Sequence, residues 1–320
     1  MEKVLLKKHN AKNILFKYGV YFVLFLLIIT LSLLTDTFFT VKNALNVLRQ
    51  ISMNSILAFG MTFVIISDGI DLSVASTVAL AGVLASDLAH PEQGYPLILP
   101  VIVAIGIGVV IGVVNGLIIS KTGVPAFIVT LGLQQVARGI SYIYTDGRSV
   151  IDVSETYQYV GQGDFLGIPF PIYLLIGMLI ISYILLQRTK FGRYVYAVGG
   201  NSMAAKVSGI RVAKIKTIVY VISGICAGIV GLILSSRTGS GAPNAGQAYE
   251  LDAIAATVIG GTSMSGGKGT ILGTLVGALI IGILNNGLDL INVSSYVQQV
   301  VKGVIIIGAV LIDRAHENKK

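Results

Sequence analysis

Charge is what this sequence lacks most. Only 12% of its 320 residues are Asp, Glu, Lys or Arg, while 54% are hydrophobic, and the mean hydropathy is +0.84. Soluble domains carry about 25% charged residues, so that class is excluded. No polar segment is long enough to form a separate soluble domain, and residues 1–320 read as one unit. Cysteine is nearly absent as well. The one thiol, Cys226, lies in an apolar run and excludes an internal disulfide. His9, His90 and His316 are too scattered for a ligand cluster, so no metal site is expected. No G-x-S-x-G elbow is present, and no catalytic residue is assigned. GGTSMSGGKGT (260–270) approaches a phosphate loop, but Lys268 is followed by Gly269 where Ser or Thr is required. The chain is therefore expected to be no enzyme, to bind no cofactor and to leave ATP to others. Lys3, Lys7, Lys8, Lys12 and Lys17 precede an apolar run from Tyr18 to Leu34, with no small-x-small cleavage site after it. That segment reads as an uncleaved first span.

Long apolar runs fill the rest. A helix needs ~20 apolar residues to cross the hydrocarbon core. Ten segments fit an all-α membrane protein, near 18–34, 45–66, 73–89, 97–119, 124–143, 171–187, 216–236, 253–262, 270–288 and 296–312. The third is short and the eighth is too short to cross alone. Such broken segments line cavities rather than face lipid. With the N-terminus inside, inner segments hold 17 of the 23 Lys and Arg and outer loops only three. This bias sets orientation and places both termini in the cytoplasm. It also explains the net charge of +8 without invoking nucleic acid.

Glycines at 108, 112 and 116, at 224 and 228, and at 273 and 277 repeat every four residues, which lets helix backbones approach closely. Polar residues inside spans have two readings. Thr130, Gln134 and Arg138 share one face of the fifth span, and Asn115, Asn285, Asn286, Gln298 and Gln299 lie in apolar context. They either tie helices together, with Arg138 snorkelling to the outer interface, or line a path for a hydroxyl-rich solute. Asn115, Thr130, Gln134 and Asn285 are the path candidates. ISDGIDLSVAS (66–76) and IGGTSMSGGKGT (259–270) each interrupt an apolar pair, making Asp71, Ser73, Ser265 and Gly266 candidates for a gate or broken helix. Asp71 is placed to cap the third span through N–H groups near Ser73 and Val74, or to meet the solute. Coupling to an ion is disfavoured, because no second mid-membrane acid is evident. In the outer loop 144–170, Gly161, Gly163, Gly167, Pro169 and Pro171 predict turns without a helix.

Residues 188–216 hold seven Lys or Arg and no acid. Within them Asn201 suits an N-cap, Ala204 and Ala205 favour helix, and Gly209 suits a left-handed C-terminal cap. A short exposed helix is marginal alone, so this one is expected to dock on a partner.

At these residues the chain resembles the permease subunits of ribose-type ABC importers, in the simple-sugar branch. The matching stretches are GMTFVIISDGIDLSVAS (60–76), VPAFIVTLGLQQVARGISYIYTDGR (124–148), TKFGRYVYAVGGNSMAAKVSGI (189–210) and GGTSMSGGKGTILGTLVGALIIGILNNGL (260–288). They span most of the chain. The resemblance implies a type II importer-like permease in the bacterial cytoplasmic (inner) membrane, surrounded by lipid and paired with a second copy. It implies a cytoplasmic ABC ATPase, often two fused domains in one chain, which holds the ATP and Mg2+, and an extracytoplasmic sugar-binding protein. In the coupling loop 188–215 it assigns ATPase contact to Asn201, Ser202, Met203, Ala204, Ala205, Lys206 and Gly209. The solute would be a ribose-like monosaccharide. A nucleoside or furanosyl signal molecule, or a gradient-driven carrier, are the competing readings. Asp68 departs from the family pattern, which more usually has glycine there.

Overall fold

The computed structural model describes residues 19–317. The basic residues from Lys3 to Lys17, the first residue of the expected first span, Lys319 and Lys320 lie outside them. Helices dominate: α1 (Gly19–Leu34), α2 (Val41–Ile66), α3 (Val74–Leu88), α4 (Ile98–Thr122), α5 (Ala126–Thr145), α6 (Glu155–Gln162) and α7 (Phe170–Tyr183) come first. Then follow α8 (Lys190–Gly200), α9 (Ser202–Val207), α10 (Val212–Thr238), α11 (Tyr249–Ile259), α12 (Ile271–Leu290) and α13 (Ser295–Glu317). A π-helical turn, Ile184–Arg188, extends α7. Among the described residues, five helices are long and apolar enough to cross a membrane: α2, α4, α7 with its extension, α10 and α12.

Capping side chains set several starts. Thr40, Thr189 and Thr270 each accept a hydrogen bond from the backbone N–H three residues on, opening α2, α8 and α12.

The centre of the bundle is α2. Its most apolar window is 89% buried, against 39% for α4 and 22% for α7. A helix apolar on all sides belongs inside a bundle, and α10, α11, α12 and α7 surround it. Thr62 and a threonine of α11 tie it to its neighbours. Thr62 Oγ1 lies 2.7 Å from Ala58 O and 2.7 Å from Thr274 Oγ1, and Thr257 Oγ1 donates to Ala58 O at 3.2 Å. These bonds join α2 to α12 and α11.

The tightest helix pair is α4 with α10. A Cβ on Gly108 would overlap the Gly224 carbonyl, one on Gly112 the Tyr220 carbonyl, and one on Gly228 the Ala104 carbonyl. Partner numbers fall as α4 numbers rise, so the two helices are antiparallel. The expected glycine spacing is thus a backbone-to-backbone seam.

One expectation fails. The loop at 144–170 contains α6 and a small hairpin, β1 (Asp164–Phe165) with β2 (Ile168–Pro169). Gly161 is helical because its Cα faces α10, where a side chain would strike the backbone of Arg237. It is there for close approach and not for a turn. The stretch before Asn201 is also helical: Gly199 and Gly200 end α8. Gly199 packs against the Ile66 carbonyl and Gly267 N–H, a gap no side chain fits.

The connections gather at two ends. At one, Ile66 O accepts from Gly267 N at 2.9 Å and Tyr196 Oη donates to Gly269 O at 2.7 Å, joining α2, α8 and the 260–270 turn. At the other, Ser154 N donates to Ala89 O at 2.9 Å, Val150 pairs with Gly241, and Arg49 bonds Asp164 at 3.1 Å.

Candidate functional site

The break between α2 and α3 is a buried polar hub. Asp71 is 1% exposed. Its Oδ1 accepts from Ser73 N at 3.0 Å and Ser73 Oγ at 2.6 Å, and its Oδ2 accepts from Ser223 Oγ at 2.8 Å. Asn115 Nδ2 donates to Ser73 Oγ at 2.8 Å, and Tyr220 Oη to Ile70 O at 3.3 Å. One carboxylate therefore caps the start of α3 and pins it to α10, while Asn115 brings in α4. Hydrogen bonds to a charged group contribute about 1.5–3 kcal/mol. Ser223→Ala is accordingly expected to lower stability by ~2 kcal/mol, read as a fall in the unfolding midpoint in detergent. An unchanged midpoint would mean the hub does not clamp α3 to α10.

Asp68, three residues earlier, has φ +59°. Glycine adopts that left-handed conformation freely and Asp tolerates it, so the departure from the family pattern follows the backbone. Its Cβ lies near the space beside Gly266, whose Cα also faces Gly199 O. Ser265 and Gly266 thus belong to the α8 end of the molecule and not to the Asp71 hub. Ser265 N donates to Ser263 Oγ at 3.4 Å.

On that same end α9 stands as a single short helix. Asn201 Oδ1 accepts from Ala204 N at 2.9 Å, and Gly209 has φ +84°. Ala205 is 4% exposed and packs on the main core, whereas Met203 is 68% and Val207 83% exposed. Ser202, Ala204 and Lys206 are exposed beside them. Val207 is the more exposed of the two large apolar side chains there. Sequence reasoning omitted it, although it stands four residues from Met203 and shares its face.

The polar face of α5 meets the connection before α11. Gln134 Nε2 donates to Glu250 Oε1 at 3.1 Å, and Arg138 Nη1 donates to Pro243 O at 2.6 Å and Ala245 O at 2.9 Å. Arg138 is thus held by a loop and does not simply reach for an interface. The four path candidates do not form one cluster. Asn115 belongs to the Asp71 hub, Thr130 is fully buried and bonds Ala126 O within its own helix, and Asn285 is 5% exposed with Oδ1 unpartnered among the described residues. Gln134 borders a polar cavity.

Three features escaped the sequence. Asn43 and Asn286 exchange amide hydrogen bonds at 3.0 and 2.9 Å, linking α2 to α12. Glu250 faces α5. Asp252, counted with the outer loop, is 5% exposed and accepts from Lys302 Nζ of α13 at 2.9 Å. Lys302 is the sole cation of the expected span 296–312, and a cation in an apolar span is the sequence signal that an acid lies opposite. Among the described residues no group of His, Cys, Asp and Glu is arranged to hold a metal.

An apolar helical bundle around a largely buried central helix, with a polar hub at a broken segment, is the architecture of a multi-pass membrane protein. The chain belongs to the family described as branched-chain amino acid transport system / permease component, whose pattern matches residues 43–310. It is 48% identical to the ribose import permease protein of Bacillus subtilis over 96% of both chains. It is 44% identical to the ribose import permease protein of Escherichia coli over 93% of this chain and 92% of that one. With the L-arabinose transport system permease protein of Escherichia coli the identity is 40%, covering 95% and 92%. No solved structure matches the chain.

Proposed function

We propose that this chain is the membrane-spanning subunit of an ABC importer for ribose. Ribose permeases match it at 44–48% identity, above the arabinose relative at 40%. Two copies would form the path, with ten spans each and both termini in the cytoplasm of the bacterial inner membrane. A binding protein would deliver the sugar to the acidic outer loops. ATP would be hydrolysed, with Mg2+, in a separate ATPase of two domains. In the alternating-access cycle, ATP binding and release move α9, and α9 moves the bundle.

The observation that carries this reading is α9. It is six residues long, capped, rooted by Ala205 and exposes Met203 and Val207 amid a basic surface. An exposed apolar pair on a rigid short helix suits insertion into a partner's groove. The loops around it are those that the Lys/Arg bias assigns to the cytoplasm. Its neighbour α8 contacts the end of α2, and the 260–270 turn packs on both, so a push on α9 would reach the central helix through α8.

Ala205→Glu would unseat the helix itself, so the informative change is at the exposed face. Met203→Glu combined with Val207→Glu should leave the permease folded and reduce ATP-driven ribose uptake in proteoliposomes by at least ~10-fold, as charging a central contact does. Normal uptake and normal ATPase capture by the double variant would remove α9 as the coupling element. Uptake that persists with a hydrolysis-dead ATPase would instead favour a gradient-driven carrier.

A further inference from the structure

The polar face of α5 and the connection before α11 enclose a cavity of about 230 Å³. Gln134, Arg138 and Tyr142 come from α5, while Asn244, Gln247 and Glu250 come from the other side. Apart from Ala248, every lining residue is polar. Pockets for drug-sized ligands measure about 300–1,000 Å³ and are mostly apolar. This one is smaller and lacks an apolar lobe.

Its chemistry is that of a hydroxyl receiver. Glu250 Oε1 is engaged by Gln134, but Oε2 is shielded from solvent and has no partner among the described residues. A shielded carboxylate oxygen without a donor is costly. The terminal carboxylate torsion is soft, so a small rotation turns Oε2 toward the cavity, where it accepts from a ligand O–H. The amides of Gln134, Asn244 and Gln247 each both donate and accept, as a hydroxyl requires. Arg138 Nη1 is taken up by the Pro243 and Ala245 carbonyls, which fixes the far wall. The guanidinium also balances the Glu250 charge, so the cavity does not select a net ion. A zwitterionic amino acid with a branched side chain would find little apolar surface here.

We infer that this cavity is a low-affinity site for a neutral, polyhydroxylated solute the size of a pentose, with Glu250 as the principal acceptor. This deepens the importer reading and rests on it for the choice of sugar. The site lies at the end of the bundle where Val150 pairs with Gly241, which that reading makes the outer mouth. It would hold the solute between arrival and passage.

The test uses the lone native thiol to advantage. Cys226 is fully buried, so a maleimide in membrane vesicles labels only an introduced cysteine at the exposed rim, Gln247→Cys. D-ribose should slow labelling by ~3-fold or more, with half-protection on the order of millimolar. Leucine and ribose 5-phosphate should not protect. Adding Glu250→Gln should shift half-protection, measured against that variant's own sugar-free rate, upward by ~10-fold, the loss of one hydrogen bond to a charged group. No protection by ribose, equal protection by leucine, or undiminished protection in a Glu250→Gln chain that labels normally would each overturn the site. The Gln247→Cys titration alone decides the matter if the double variant fails to accumulate. The assay contains no ATPase or binding protein, so its failure leaves the importer reading to its own uptake test.

Discussion

Gly108→Leu should prevent the chain from accumulating as a folded species, and Gly224→Leu should do the same. Each glycine's missing Cβ would coincide with the other's carbonyl, so neither backbone can yield without parting α4 from α10. Overpacking a core usually costs about 1–3 kcal/mol because side chains move aside. Here the obstacle is main chain on both sides, and the cost should exceed ~3 kcal/mol. Even Gly108→Ala should lower the unfolding midpoint in detergent. Gly106→Ala and Gly132→Ala, whose added Cβ would meet no neighbouring atom within 4 Å, are the matched controls and should be close to neutral. If Gly108→Ala behaves like Gly106→Ala, the seam is not the close contact described.

Lys302→Met is expected to destabilise by roughly 3 kcal/mol, the lower end of the cost of breaking a buried ion pair from one side. Asp252 would be left without its cation, its side chain only 7% exposed, while Lys302 gives up a side chain 25% exposed. The penalty is the stranded carboxylate and not the lost attraction. Removing both charges with Asp252→Asn and Lys302→Met should therefore recover most of the loss. Exchanging them, Asp252→Lys with Lys302→Asp, should recover part of it. A double-mutant cycle in detergent reads the coupling directly. A coupling near zero would mean that α13 is held to α11 by apolar contact alone. Because α13 packs chiefly on α11, the single variant should also raise proteolysis of the C-terminal segment.

The class of the molecule was legible at once. Apolar runs and the Lys/Arg bias depend only on transfer of side chains to lipid, a local property of the sequence. The glycine spacing of α4 and α10 was legible for a similar reason, because small residues every four positions form a face on any helix. The α9 caps were legible because Asn201 and Gly209 act within one turn. Loop 144–170 was misread because Gly161 and Gly163 look identical in a sequence. One serves close approach to Arg237 within α6 and the other follows the helix.

What the sequence by itself determined is everything set by local chemistry: a helical membrane permease, its broken segments, its basic surface and one capped helix on it. Only the tertiary structure decided which polar residues meet. Asp71 finds Ser223, Glu250 finds Gln134, and Asp252 finds Lys302, across 152, 116 and 50 residues of chain. Burial makes such groups seek partners, but it does not say which. Which helices are adjacent settles that choice, and adjacency comes from the packing of whole faces, which no short window of sequence contains.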